Sequence, residues 1–480
     1  MDKVSLALIA ALVYMSFMVV VGLIASRRSR TFTDYAVAGR RLGLPMVYAT
    51  ILATWFGTGL AVGGASMAYL FGYRGVIMDP IGAGVSILIF GLFFASILRK
   101  KGYITISDFF RERYGRGMEL LSAVVQVIAY MGWSASLLVT FGTIMSTFTG
   151  MDYREGLLIG VGITIIYTTI GGLWSVVYTD LIQAALLVTG VLLLFKATLD
   201  AVGGLGVFGS EIPMSTLSIL PEEGFGYLGY TGLMGAAFYI SSWLVQGIGA
   251  TTSQDLVQRA VAARDERVAR RAAIAASVSY IVLGLVPATI GIMATLLYPS
   301  LENPDEVLPR VALDLLPTIP FVLFTIGLLA ALMSSADSAI LVPSVVIAEN
   351  IAPRLGLSGD RVKYLVAKAS VPLIALVSLA IALQAPTIYF LMNLSWELIL
   401  MTHAVPFIAG LLSTRLKEKA VLTAVIAGLA LWITLTLMLI PVTYAVEGDM
   451  EYAAWDAVYI AAPLALLLEV VIVAVSLLKK

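Results

Sequence analysis

Apolar runs of twenty or more residues recur from one end of this chain to the other, separated by short polar stretches. The first, Ser5 to Ser26, is about 22 residues; at 1.5 Å per residue it crosses a hydrocarbon core of roughly 30 Å. Further runs of this kind predict spans at 45–71, 76–98, 117–149, 155–170, 174–198, 228–253, 270–298, 319–348, 364–384, 387–413, 419–443 and 455–478. Only 12% of the residues are charged, against roughly 25% in a soluble domain. So much apolar surface cannot be hidden in one water-soluble core. The expected fold class is an all-α polytopic membrane protein of about thirteen transmembrane helices, with the lipid bilayer as its partner.

The lysines and arginines test this division. The loops after the first, third, seventh, ninth and eleventh spans, with the C-terminal tail, hold 25 of the 30. Among them are Arg27, Arg28 and Arg30, Arg99 to Lys101, Arg259 to Arg271, and Lys479 and Lys480. The alternate loops hold acids such as Glu211, Glu222, Glu302, Asp305, Glu447, Asp449 and Glu451. Positive charge marks the cytoplasmic side, so the N-terminus is expected outside and the C-terminus in the cytoplasm of a multi-pass plasma-membrane protein. The first run is expected to be retained, because its positive charges follow it and only Lys3 precedes it. Formal net charge is zero, and no basic tail or zinc-finger spacing suggests nucleic acid. The absence of cysteine excludes disulfides, thiolate metal sites and cysteine nucleophiles.

Two spans carry breaks. The second holds Trp55-Phe56-Gly57-Thr58-Gly59, and the seventh holds Gln246-Gly247-Ile248-Gly249 followed by Thr251-Thr252-Ser253. Each opens a block of five spans. Interrupted segments at matching positions point to an inverted-repeat transporter with its site at the midplane; membrane glycines that merely allow close packing are the plainer reading.

Carboxylates inside a membrane cost about 2.5–3.5 kcal/mol each on insertion scales and mark functional candidates. Asp79, Asp180, Asp337 and Glu397 qualify. Ala331, Ser334, Asp337 and Ser338 share one helix face, and its hydroxyls and carboxylate suit a hard cation; serines bonding back to their own helix are the alternative. For Asp180, a solvated or structural acid near a span end is the alternative, and Asp79, before Pro80, reads equally as a cap at a kink. Glu397 and the single histidine, His403, are six residues apart and do not share a face.

The residues 171–183, GGLWSVVYTDLIQ, are similar to the GGxxxVxxTDxxQ signature of the sodium/solute symporter family, whose members carry proline, pantothenate and glucose. Ala330 to Ser338 is similar to the family's AAxMST segment, with Ser335 in place of threonine. Gln254-Asp255-Leu256-Val257-Gln258-Arg259 resembles the loop after its seventh helix, and Asp34-Tyr35, Gly39-Arg40 and Leu42-Gly43 its DYxxxGRxLG lead into the second. The resemblance implies a leucine-transporter-type 5+5 inverted repeat: an N-terminal helix and loop (1–44), a first repeat (45–199), an extracellular loop (200–227), a second repeat (228–415) and two C-terminal helices (416–480). It implies Na+ held by Ala53, Phe56, Ala331, Ser334 and Ser335. In some relatives a second sodium lies where Asp180, Asp337 and Ser338 fall here.

By position the resemblance puts solute contacts at Asp79, Trp133, Gln246, Trp396 and Glu397. Trp55 and Gly59 depart from the residues of the proline carriers, which places proline itself in doubt. The implied activity is sodium-coupled symport of a small polar organic solute by alternating access. Exposed amides at the broken second span favour a carboxylate, whereas Asp79 and Glu397 favour an amine or hydroxyls, so a zwitterion or polyol is expected from among amino acids, organic acids and sugars. Proton coupling through Glu397, His403 or Asp337 is the main alternative. An enzyme with Asp180 and Asp337 as a dyad is a remote one, since no GxGD or HExxH element accompanies them.

Overall fold

The computed structural model describes residues 2–57, 59–384 and 388–478. Thr58, Thr387, Lys479 and Lys480, all part of the expectations above, lie outside them. Apart from isolated bridges, the regular elements are helices, as a bilayer core requires of a chain that does not close a barrel. The principal ones are α1 (Lys3–Ser26), α2 (Leu44–Trp55), α3 (Gly64–Phe71), α4 (Ala83–Ile89), α5 (Arg116–Thr149), α6 (Tyr153–Gly171) and α7 (Leu173–Ala201). They continue as α8 (Gly232–Trp243), α9 (Gln254–Val261), α10 (Glu266–Leu297), α11 (Val307–Leu315), α12 (Thr318–Val346), α13 (Asp360–Ala382), α14 (Ile388–Ile399), α15 (Glu418–Glu447) and α16 (Met450–Leu478).

Among the described residues, eleven helical runs are long and apolar enough to cross a membrane. The expected spans 45–71 and 76–98 account for much of the difference from thirteen. Helical turns of differing pitch link Gly59 to Lys101 in one run, leaving α2 as a short separate helix. That run bends at Asp79, whose backbone (φ −144°, ψ 120°) leaves the helical region before Pro80. Val13 and Phe17 on α1, Leu373 and Leu376 on α13, and Ile426 and Leu437 on α15 point out of the bundle. An apolar outer surface is what lipid tails cover. At the centre lies α12, buried along nearly all of Phe324 to Val346 and packed against α1, α5, α7 and α13.

The sequence motifs build the turns that hold this arrangement. Gly172 joins α6 to α7 with φ +56°, and a Cβ there would come within 2.6 Å of Tyr35, so glycine alone fits. Asp34 accepts from the Thr31 N–H (3.2 Å) while Thr31 Oγ1 accepts from the Asp34 N–H (3.1 Å), a reciprocal cap. Leu42 N–H donates to Ala262 O (3.1 Å), Arg264 N–H to Leu42 O (2.9 Å), and Gln258 Nε2 to Ala36 O (2.6 Å). The loops leading into the second span and out of the seventh are therefore stitched together at the end of the bundle that carries the basic loops.

Candidate ion and solute site

At the break after α2, Phe56 (φ −77°, ψ 60°) leaves helical geometry. Phe56 N–H still donates to Leu52 O (2.8 Å), but Gly57 N–H turns back to Trp55 O (2.8 Å) instead of reaching Ala53 O. Regular bonding resumes at Ala61 N–H to Gly57 O (3.1 Å). The Ala53 carbonyl loses its helical donor, as a cation ligand must. Beyond α8 the seventh span passes through a wide turn (Leu244–Ile248) and a tight one (Gly249–Thr252), then breaks at Ser253 (φ −65°, ψ 134°) before α9.

The break lies directly against α12. Ser335 Oγ donates to Thr54 O (2.8 Å), and a Cβ on Gly57 would stand 2.6 Å from Ser335 Oγ. Ala53, Phe56, Ala331, Ser334 and Ser335 are all at most 1% exposed. Buried carbonyls and hydroxyls crowded together fit a hard monovalent cation. Ser334 turns to Asp180, donating to its Oδ1, while Thr50 Oγ1 donates to its Oδ2. Asp180 is fully buried, which removes the reading of it as a solvated acid. Ser338 Oγ is within reach of Ser334 O (2.9 Å) and Asp337 Oδ1 (3.0 Å), so the two expected cation sets are one continuous face.

A cavity with about 870 Å³ of free space, its mouth included, opens beside the break. Asp79, Trp133, Gln246 and Trp396 line it. Glu397 does not. It stands on α14 next to Trp396, and successive helix positions are about 100° apart, so its fully buried side chain faces away, toward Tyr459 on α16. Glu397 therefore does not reach the cavity in which a solute contact was expected of it. His403 is remote too, bonded to Ser122 Oγ (2.8 Å) and Thr402 Oγ1 (2.6 Å).

Sequence reasoning missed several lining residues, namely Trp55, Asp255, Tyr280 and Met392. Trp133 and Trp396 have ring centroids 5.4 Å apart, and Trp55 lies 6.2 Å from both Trp396 and Tyr280. Tyr280 donates to Asp79 Oδ1 (2.6 Å). Asp255 forms the floor, accepting from Trp55 Nε1 (2.6 Å) and from the Tyr130 hydroxyl. Neither lysine, arginine nor histidine is among the described residues of the lining. The signal for Asp255 and Arg259 was present in the Gln254–Arg259 motif, but their side chains read as loop charge. Arg259, assigned above to a cytoplasmic loop, is in fact fully buried inside the bundle.

A helical bundle with two matched breaks, a buried oxygen-lined face at one of them and a cavity alongside is the architecture of a membrane transporter. The model of the sodium:solute symporter family matches residues 35–428, and the chain belongs to that family. It is 28% identical to the high affinity choline transporter 1 of Homo sapiens, over 89% of this chain and 76% of that protein. It is 26% identical to the sodium/pantothenate symporter of Escherichia coli, over 90% of each. The chain spans 64% and 63% of the choline transporters of Drosophila melanogaster and Torpedo marmorata. A solved structure of a Na+-coupled sialic acid symporter superposes with a TM-score of 0.81 over 98% of this chain and 97% of its own, at 19% identity. That likeness establishes the leucine-transporter-type fold. Family and fold together support sodium-coupled symport of a small molecule.

Proposed function

We propose that the chain is a sodium-coupled importer of a small organic cation bearing a quaternary ammonium group, of the size and kind of choline. The observation that carries this reading is the cavity's composition: several indole and phenol rings around two carboxylates, with no basic side chain in the described lining. A methylated ammonium cannot donate strong hydrogen bonds, and aromatic faces are what recognise it, at about 0.5–2 kcal/mol per ring. Asp79 supplies the counter-charge, because one tyrosine donor leaves it free acceptor capacity. The zwitterion favoured from sequence fits less well, since its carboxylate would meet Asp79 and Asp255, and a neutral polyol would offer the aromatic faces no cation. The choline transporters among the relatives point the same way.

Sodium is held by Ala53, Phe56, Ala331, Ser334 and Ser335, with a second ion at Asp180, Asp337 and Ser338. The first ion fixes the shape of the break beside the cavity, so ion and solute raise each other's affinity. The basic end is cytoplasmic. The cavity, lined by Gly63, Gly64 and Met67 on the half of the second span leading to the acidic end, then faces outward, with Asp255 closing it below.

The test is calorimetric binding by the purified protein of choline, glycine betaine, proline and glucose, each with sodium and with potassium. Choline is expected to bind at least tenfold tighter than the others, and only with sodium. Equal or better binding of proline or glucose contradicts the solute assignment. Binding indifferent to sodium, and unchanged in Ser334→Ala with Ser335→Ala, contradicts the ion assignment.

A further inference from the structure

Arg259 is among the largest fully buried side chains of the molecule. It projects from α9, the short helix that follows the broken seventh span, into the packed space between α2 and α12. Its Nε donates to Thr50 O (3.2 Å), Nη1 to Asp255 O (3.0 Å), and Nη2 to Ser338 Oγ. Ser338 Oγ is the group that reaches Asp337 Oδ1 (3.0 Å) and Ser334 O (2.9 Å). Thr50 and Ser334 in turn hold Asp180, and the field of the guanidinium extends to that carboxylate. The arginine thus sits on the hydroxyl and carboxylate face assigned to the second sodium.

A guanidinium keeps its charge at every accessible pH, and a buried cation persists only beside counter-charge. Asp180 lies within its field, and Asp337 is joined to it through the Ser338 hydroxyl. A sodium ion entering the same face needs the same carboxylates and the same Ser338 oxygen, and it adds a second positive charge a few ångströms from the first. Like charges so close in a dry interior repel strongly.

We propose that Arg259 is a tethered counter-cation of the Asp180–Asp337–Ser338 face, and that the second sodium binds in competition with it. Without sodium, the guanidinium neutralises the face and clips α9 to α12. Sodium displaces that contact, leaving the arginine on the backbone carbonyls of Thr50 and Asp255. Ion occupancy is thereby read out at the helix that floors the cavity through Asp255. This inference rests on the sodium reading above, and Arg259 acts in it as a positioning residue.

The test is direct binding of radioactive sodium to the purified protein, with no solute and no transport assay. R259Q is expected to bind the second sodium at least tenfold more tightly than the wild type, whereas R259K, which keeps the charge, stays within about threefold of it. A residue with only a structural role would weaken binding or leave it unchanged when removed, and that result in folded R259Q overturns the proposal. Should R259Q not fold, the pair R259Q with D337N conserves the buried net charge. D337N alone is then expected to weaken sodium binding at least tenfold and the pair to recover to within about threefold of wild type, while a pair no better than D337N overturns the competition. Wild-type protein that binds no sodium at all overturns the sodium reading itself, and with it this inference.

Discussion

Trp55 Nε1 donates a 2.6 Å hydrogen bond to Asp255 Oδ2, joining the last residue of α2 to the first turn of α9 directly beneath the cavity. Tyr130 on α5 donates to the other oxygen of the same carboxylate. One acid therefore holds together three helices that must part if the cavity is to open toward the basic end. Trp55→Phe keeps the ring and removes the donor, leaving Asp255 half-satisfied at a cost of about 1–3 kcal/mol. Because the chain has no cysteine, a single Val47→Cys on α2, at a position now fully buried, reports opening by its rate of thiol labelling. Trp55→Phe is expected to raise that rate about fivefold or more. An unchanged rate contradicts the role of the contact.

Gly57 offers a sharper test of the cation site. A Cβ at this position would stand 2.6 Å from Ser335 Oγ, so Gly57→Ala must drive the Ser335 hydroxyl from its place on Thr54 O or shift the break. Overpacking of this kind costs about 1–3 kcal/mol. It is expected to weaken sodium binding about tenfold, while thermal stability measured in potassium changes much less. A drop in stability equal in both salts would mean that the contact is structural only.

The solute assignment is checked by separating charge from shape. Trp396→Leu removes an aromatic face, and Asp79→Asn the counter-charge. Each is expected to raise the KM for choline about tenfold or more, at about 1.4 kcal/mol per decade. Inhibition by 3,3-dimethylbutanol, the neutral carbon isostere of choline, is expected to change less than threefold. Equal losses for the cation and its isostere contradict recognition of charge.

How much of this was legible in the sequence varies from residue to residue for identifiable reasons. The break at Phe56 to Gly59 and the oxygen-rich face from Ala331 to Ser338 could be read directly, because glycine clusters and repeated hydroxyls inside apolar runs are local signals. Gly172 is of the same kind. Arg259 and Asp255 were not legible: charged residues just past an apolar run look like loop, and only the folding of α9 back under the bundle buries them. Glu397 fails for a geometric reason. The expectation covered two neighbours on one helix, and only one of them can face the cavity. The aromatic cage draws on four separate elements, and its rings meet only in three dimensions.

The basic end has its own stabilising centre, apart from transport. Asn350 Nδ2 donates to Asp108 Oδ1 (3.0 Å) and Glu119 Oε1 (3.1 Å), while its Oδ1 accepts from Thr105 Oγ1 (2.7 Å), all of them buried. Asn350→Ala leaves two buried carboxylates without that donor and is expected to cost about 1–3 kcal/mol, read as a lower midpoint of thermal unfolding. Sodium and choline affinities of the protein that remains folded should match wild type. A sodium affinity shifted tenfold would instead tie this network to the ion site.

The central claim is that a sodium gradient drives a cation through the aromatic cavity, and flux in sealed vesicles tests it most directly. Purified protein in potassium-loaded proteoliposomes is given radioactive choline under an inward sodium gradient, with and without valinomycin to set the inside negative. Sodium is expected to drive accumulation above the external concentration, and the negative potential to accelerate it, because each charge moved inward gains about 2.3 kcal/mol per 100 mV. Uptake that proceeds equally without sodium, or that ignores the potential, contradicts the account.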